Sequence, residues 1–194
     1  MLGTINLEPY FEKITDQGWV IFNVNINFAN KLRDCLNVLK TEQGLIPSAL
    51  AHAHIEKNIR NDFIHWIEND SMEVSEKKLF TDLNILMNEL KKYFRIPLVE
   101  IEAHYAHYPK NHFYKRHSDQ CRINNHRFFS FVIYLNTGWQ TKNGGQLCGY
   151  NNETEVFKIN PDIGKMILFK SHFEHEVLAS LTDRYSIAGW MRTA

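Results

Sequence analysis

At 194 residues, with 44% hydrophobic and 23% charged side chains, the chain has the length for one domain with its own core and is too apolar for a disordered segment. Lys+Arg and Asp+Glu number 22 each, so no net field draws in nucleic acid, and a nucleic-acid partner is not expected. A run of about 18 apolar residues is missing, so no membrane span is expected.

The start, Met1-Leu2-Gly3-Thr4, lacks the basic residues and apolar core of a signal peptide. Cys35, Cys121 and Cys148 are too dispersed for a zinc cage or a disulfide framework, which points to free thiols and a cytoplasmic location. Composition says nothing about oligomeric state.

Taken in chain order, Leu7, Tyr10, Phe11 and Ile14 recur at helical spacing, with Asn6 as the expected N-cap and Gly18 as the stop. Trp19 to Phe22 reads as a short strand. A second helix carries Phe28, Leu32, Cys35, Leu36 and Leu39 on one face. Periodicity then disappears from Thr41 to Asn58, where Gly44, Pro47 and Ser48 break regular structure. A loop of this length inside a domain reads as a lid or a binding loop. His52 and His54 lie in it without an acidic partner and make a poor metal site. Ile59 to Ile67 is dense in strand formers and places Arg60, Asp62, Ile64 and Trp66 on one face. Ser75 is the expected N-cap of a third helix bearing Leu79, Leu83, Leu86, Leu90 and Phe94, which must end by Ile96-Pro97.

Beyond Pro97 the pattern changes to short strands divided by turn residues. Strands are expected at 99–108, 113–118, 127–135, 146–150, 155–159, 165–170, 176–178 and 184–191. Eight such strands behind a set of helices predict an α+β protein, a jelly roll (double-stranded β-helix) with supporting N-terminal helices. One domain over 1–194 is expected, with 1–96 as helical support, lid loop and first strands, and 97–194 as the jelly-roll core.

The chemistry centres on Tyr114-Lys115-Arg116-His117-Ser118-Asp119. His117 and Asp119 are two residues apart, so on an extended strand both side chains leave one face. A second histidine downstream, His172 or His175, completes a face of three, and spacing does not choose between them. Two histidines and a carboxylate with open positions suit non-heme Fe(II). In the last strand Arg184, Ser186, Ala188 and Trp190 share a face, which sets a guanidinium beside small neighbours. A buried arginine needs a partner, and a ligand carboxylate held by the planar fork would serve. Phe128, Ser130, Val132 and Tyr134 offer a phenol for the same purpose.

These residues carry a resemblance. The stretches Ile59-Arg60-Asn61-Asp62-Phe63-Ile64-His65-Trp66-Ile67, Tyr108-Pro109, Arg116-His117-Ser118-Asp119, Tyr134-Leu135-Asn136, Gly144-Gly145, His175-Glu176-Val177 and Arg184-Tyr185 with Trp190 resemble the Fe(II)- and 2-oxoglutarate-dependent dioxygenases. The specific branch is that of the prolyl hydroxylases related to the animal oxygen-sensing enzymes and their bacterial counterparts. The resemblance spans about two-thirds of the chain. It implies His117, Asp119 and His175 as iron ligands, Arg184 with Tyr134 on the distal carboxylate of 2-oxoglutarate, Tyr108 lining the cosubstrate pocket and Trp190 beside the metal. Arg60, Asp62, Trp66 and Arg127 fall on the substrate side.

The implied cofactors are Fe(II), 2-oxoglutarate and O2, with ascorbate in support, and the implied partner is a protein presenting a proline. The implied activity is prolyl 4-hydroxylation coupled to decarboxylation of 2-oxoglutarate to succinate and CO2. Lys110-Asn111-His112 departs from the family's glycine-rich turn, the segment before His175 is short, and His104 replaces an apolar residue of the animal enzymes. Rival readings are a hydroxylase of a free amino acid or other small molecule, a catalytically silent jelly-roll binding module, and a nucleic-acid demethylase.

Overall fold

The helices in the first half form where apolar spacing demands them, and their ends follow local capping. The computed structural model of the chain describes residues 6–48, 59–120 and 126–194. Helix α1 (Glu8–Gln17) is capped at Leu7 rather than Asn6, whose side chain instead accepts from the Glu8 N–H one residue further in, at 3.1 Å. Gly18 stops the helix at φ 83°, a left-handed conformation that costs glycine little. A Cβ there would also run into the ring of Phe173. Strand β1 (Trp19–Asn23) leads to α2 (Ile26–Thr41), where the Asn25 side chain caps the Phe28 N–H at 3.1 Å.

Three expectations shift here. Part of the 41–58 stretch is regular: Thr41 ends α2, and Ile46–Pro47 forms β2 against β3 (Phe63–Trp66). The remainder of the lid reading, with His52 and His54, lies outside the described residues. The strand expected over Ile59–Ile67 shortens to β3, because Arg60 bridges Tyr114 of a different strand instead. Helix α3 (Val74–Phe94) is capped by Glu73, whose carboxylate accepts from the Ser75 N–H, so Ser75 is the capped residue and not the cap. It ends at Arg95, at φ 54°, just ahead of Ile96-Pro97.

The strands that follow are β4 (Leu98–Tyr108), β5 (Tyr114–His117), β6 (Arg127–Tyr134), β7 (Leu147–Asn151), β8 (Thr154–Ile159), β9 (Lys165–Lys170), β10 (Glu174–Val177) and β11 (Arg184–Thr193). They build two antiparallel sheets, β1-β9-β6-β11-β4-β3-β2 and β5-β10-β7-β8. The jelly roll is therefore present, and β1 and β3 from the first half extend its larger sheet. Two expected boundaries change in a way that matters for the site. β10 begins at Glu174, two residues earlier than expected, so His175 stands inside the ladder. β5 ends at His117, so Asp119 lies in a bend past the strand.

Alternation on the larger sheet sorts its residues into two compartments. Ala103, Tyr105, Phe129, Phe131, Ile133, Tyr185, Ile187 and Met191 face the helices and pack with Leu32, Leu36, Leu79, Leu83 and Leu86. Ala106, Tyr108, Val132, Tyr134 and Ala188 face the smaller sheet and pack with Leu147, Phe157, Phe169 and Val177. Gly189 allows β11 to pass close to its neighbours, since a Cβ there would collide with the Phe131 ring and the Glu102 carbonyl oxygen. Among the described residues, no helix is long and apolar enough to cross a membrane.

Candidate active site

Antiparallel pairing of β5 with β10 sets His117 directly opposite His175, with ring centroids 4.3 Å apart. The bend after β5 turns Asp119 back toward both. One carboxylate oxygen lies 3.7 Å from His117 Nε2 and the other 3.4 Å from His175 Nε2. The ligand atoms of the three residues lie within 4.8 Å of one another. Each imidazole is oriented from behind, with Nδ1–H donating to a backbone carbonyl: Lys115 O at 2.7 Å for His117 and Phe173 O at 3.1 Å for His175. That fixes the tautomer and leaves the Nε2 lone pairs facing Asp119, as metal ligation requires. His172, by contrast, is exposed outside this group, so the structure brings His175 and not His172 to the triad.

The electrostatics favour the ligating protonation state at His117 and Asp119. Burial, then the neighbouring His175, lowers the His117 pKa to about 3. Burial by itself would raise Asp119, but His175, His117 and the hydroxyl of Ser130 pull it down to about 2. A neutral imidazole and an ionised carboxylate are what a divalent cation takes. Ser130 Oγ donates to Asp119 Oδ2 at 2.7 Å and lies 2.8 Å from Ser171 Oγ, both serines being buried. Sequence reading placed Ser130 on the right face of its strand but gave it no role. Its signal was a small hydroxyl inside an otherwise apolar strand.

Further in, Arg184 is 1% exposed. Its Nε donates to Gly145 O at 2.9 Å and its Nη1 to Ser186 Oγ at 3.1 Å, but Nη2 has no partner among the described residues. The Gly144-Gly145 turn that presents this carbonyl has φ values of 71° and 67°, which side-chain-bearing residues rarely adopt. Beside it the Tyr134 hydroxyl is also buried and unpartnered, and the Tyr108 ring lies 5.0 Å from the guanidinium carbon. Burial raises the pKa of both phenols, so they stay neutral donors. A buried guanidinium N–H and a buried phenol, both without an acceptor, fit a ligand carboxylate. The triad, Arg184 and Tyr108 line one cavity, and the Tyr134 ring lies behind the guanidinium, 5.5 Å from its carbon.

The residues expected on the substrate side divide in two. Arg60 and Asp62 are buried and form a bidentate pair, 2.6 and 2.9 Å, so Asp62 is occupied by its partner. Burial opposes the charge on Arg60, but Asp62 more than restores it. Asp62 also reaches back to the chain at Ser48, whose N–H donates to its carbonyl at 3.0 Å. Trp66 and Trp190 lie with centroids 6.1 Å apart and flank His104, while Arg127 stacks 3.5 Å over the Trp190 ring and pairs with Glu102.

The family model of the 2OG-Fe(II) oxygenase superfamily matches residues 103–192. A prolyl-4-hydroxylase from Pseudomonas putida aligns at 28% identity over 97% of this chain and 99% of its own, with a TM-score of 0.87. A prolyl hydroxylase from Trichoplax adhaerens, solved with a hypoxia inducible factor oxygen degradation domain peptide fragment, aligns at 26% identity over 93% of this chain and 86% of its own, with a TM-score of 0.84. A viral collagen prolyl hydroxylase from Paramecium Bursaria Chlorella virus-1 shares the fold at 14% identity, covering 93% and 98%, with a TM-score of 0.64.

Proposed function

We propose that this chain, a 2-oxoglutarate-dependent dioxygenase of the prolyl hydroxylase type that uses Fe(II) and O2, hydroxylates C4 of a prolyl residue held in an extended segment of a protein. The observation that carries the cosubstrate half is a pair of buried donors with no partner among the described residues: Nη2 of Arg184, which lines the cavity of the triad, and the Tyr134 hydroxyl beside that guanidinium. Arg184 and the Tyr134 hydroxyl take the distal carboxylate of 2-oxoglutarate, and Tyr108 closes the wall around its methylenes. His117, Asp119 and His175 hold Fe(II) on one face and leave the other for the keto acid and O2. When bound, the iron would supply the activation of O2, the oxidant, one of whose oxygen atoms would enter the succinate formed from 2-oxoglutarate with loss of CO2 while the other would turn the substrate C–H into C–OH.

The residues of the chain bind, orient and keep water out. Ser130 and Ser171 fix the Asp119 carboxylate, and the backbone carbonyls of Lys115 and Phe173 fix the two imidazoles. Trp66 and Trp190 offer an uncharged aromatic box next to the triad, a setting for an apolar ring. The prolyl hydroxylases of Pseudomonas putida and Trichoplax adhaerens support the same reading, the second through its bound peptide. Arg60, paired with Asp62, and Arg127, stacked on Trp190, border the entry for the polypeptide.

The test is incubation with Fe(II), 2-oxoglutarate, O2 and capped proline-containing peptides. Succinate should form in step with a mass gain of one oxygen atom on proline. Free proline turned over at the same rate as the peptides would favour a small-molecule hydroxylase. Absence of metal binding and of 2-oxoglutarate turnover would favour a silent binding module.

A further inference from the structure

His104 sits in the middle of the aromatic box and is 2% exposed. It lies on β4 opposite Trp66 of β3 and Ala188 of β11, on the face that looks into the cavity of the triad. Trp66 and Trp190 flank it, with centroids 5.0 and 5.4 Å away. Its Nε2 is 3.5 Å from Arg60 Nη2, and a guanidinium nitrogen has only protons to offer. Nε2 is therefore the acceptor. Burial, then the nearby Arg60, lowers the pKa of the ring to about 3, so it is neutral and carries a single N–H. That N–H is on Nδ1, which is buried and has no hydrogen-bond partner among the described residues.

An unused donor inside an aromatic box is costly in the free protein, and a ligand oxygen that meets it recovers the loss. A prolyl residue has no N–H, so its polar handles are carbonyl oxygens: its own and that of the tertiary amide before it. Both are acceptors, and both lie within two bonds of the ring. The keto acid is anchored elsewhere, since Arg184 pairs with Tyr108, four residues or about 13 Å along β4 from His104.

We infer that His104 is a specificity-determining residue whose Nδ1–H donates to a backbone carbonyl flanking the target prolyl ring. This rests on the prolyl reading above and adds to it how the box distinguishes a prolyl residue in a peptide from a bare apolar ring. The prolyl ring packs against Trp190, which lines the cavity with His104, while the carbonyl beside it meets His104. A substrate with the ring but without the carbonyl would leave the donor unpaired.

The experiment uses the full chain with Zn(II) as a redox-inert metal, saturating 2-oxoglutarate and a capped pentapeptide with proline at its centre. In protein labelled with 15N-histidine, His104 should appear as the Nδ1–H tautomer, and its proton should move downfield when the peptide binds. His104→Met should weaken peptide binding about tenfold. His104→Asn, whose amide nitrogen falls where Nδ1 lies, should recover part of that loss, which a purely packing role would not give. 2-Oxoglutarate affinity should stay within about twofold in both variants, and equal melting temperatures report that each folds. An Nε2–H tautomer, or unchanged peptide affinity in His104→Met, overturns the inference. Loss of 2-oxoglutarate affinity alone places the acceptor on the keto acid and also overturns it. A wild-type protein that binds no prolyl peptide sinks the prolyl reading itself, while the tautomer still decides whether the donor exists.

Discussion

Along β6 and β11, neighbouring residues are equally buried and serve opposite ends. Phe129, Phe131, Ile133, Ile187 and Met191 face the helices and are sealed against Leu, Phe and Met side chains. One residue away on the same strands, Ser130, Tyr134, Arg184 and Ser186 face the smaller sheet and are sealed just as tightly, yet they are polar. Burial by itself thus does not separate core from site. What separates them is satisfaction: those apolar side chains demand nothing, whereas Arg184 and Tyr134 hold donors with no acceptor among the described residues. The helix-facing side holds the sheet together, and the other side carries the cost of waiting for a ligand.

The sharpest break in this comparison is Asp119→Ala. Turnover should fall to background and metal affinity by more than about 100-fold, beyond the loss typical of an outer-shell partner. The melting temperature should hardly move, because a ligand-facing carboxylate adds little to the core. His172→Ala should leave metal affinity unchanged, and equilibrium dialysis with Fe(II) or Co(II) checks both. Phe131→Ala makes the opposite incision, on the helix face. It should cost about 3–5 kcal/mol in urea denaturation while the folded fraction keeps its metal affinity. If the reverse were seen, with activity lost and stability kept, the assignment of the two faces would be wrong.

Arg184→Ala should weaken 2-oxoglutarate binding by about 2–4 kcal/mol, since the ligand carboxylate would be buried without its partner. Iron affinity should change little, and calorimetry with an inert metal separates the two. Ser130→Ala removes one hydrogen bond from the Asp119 carboxylate and should lower metal affinity about tenfold, with little change in 2-oxoglutarate affinity at saturating metal.

The smallest effect belongs to Asp183, at the edge where β11 begins. Burial would raise its carboxyl, but Lys40 at 3.0 Å, the Tyr185 hydroxyl at 2.8 Å and His107 at 3.1 Å hold it below the usual carboxylate range. Its folded pKa lies below the unfolded value of about 3.9. The stability it contributes is therefore present above that pH and is lost as pH falls through the folded value. Asp183→Asn should flatten the acid limb of the stability curve by less than about 1 kcal/mol, because the group is partly exposed and screened. An unchanged acid limb would mean that this network does not act on folding.

Much of this molecule follows from local rules that a chain carries with it. Alternation already grouped Arg184 with Ser186 and Ala188 on one face of β11 and Tyr134 with Ser130 and Val132 on one face of β6, and the apolar stripes of α2 and α3 already marked their buried sides. The motif at His117-x-Asp119 marked two ligands, although the side-chain period of two that suggested them ends with β5 at His117. Other features depend on register and bends, which residue spacing does not encode. Asp119 reaches the triad from a bend beyond β5, and His175 rather than His172 faces it because β10 starts at Glu174 and pairs His175 with His117. Ser171 and Gly145 act through contacts 41 and 39 residues away in sequence. The unpaired state of Arg184 Nη2, Tyr134 OH and His104 Nδ1 is a property of everything around them. A hydrogen-bond vacancy exists only once every neighbour has taken its place, so it is decided by the packed tertiary structure and by nothing shorter.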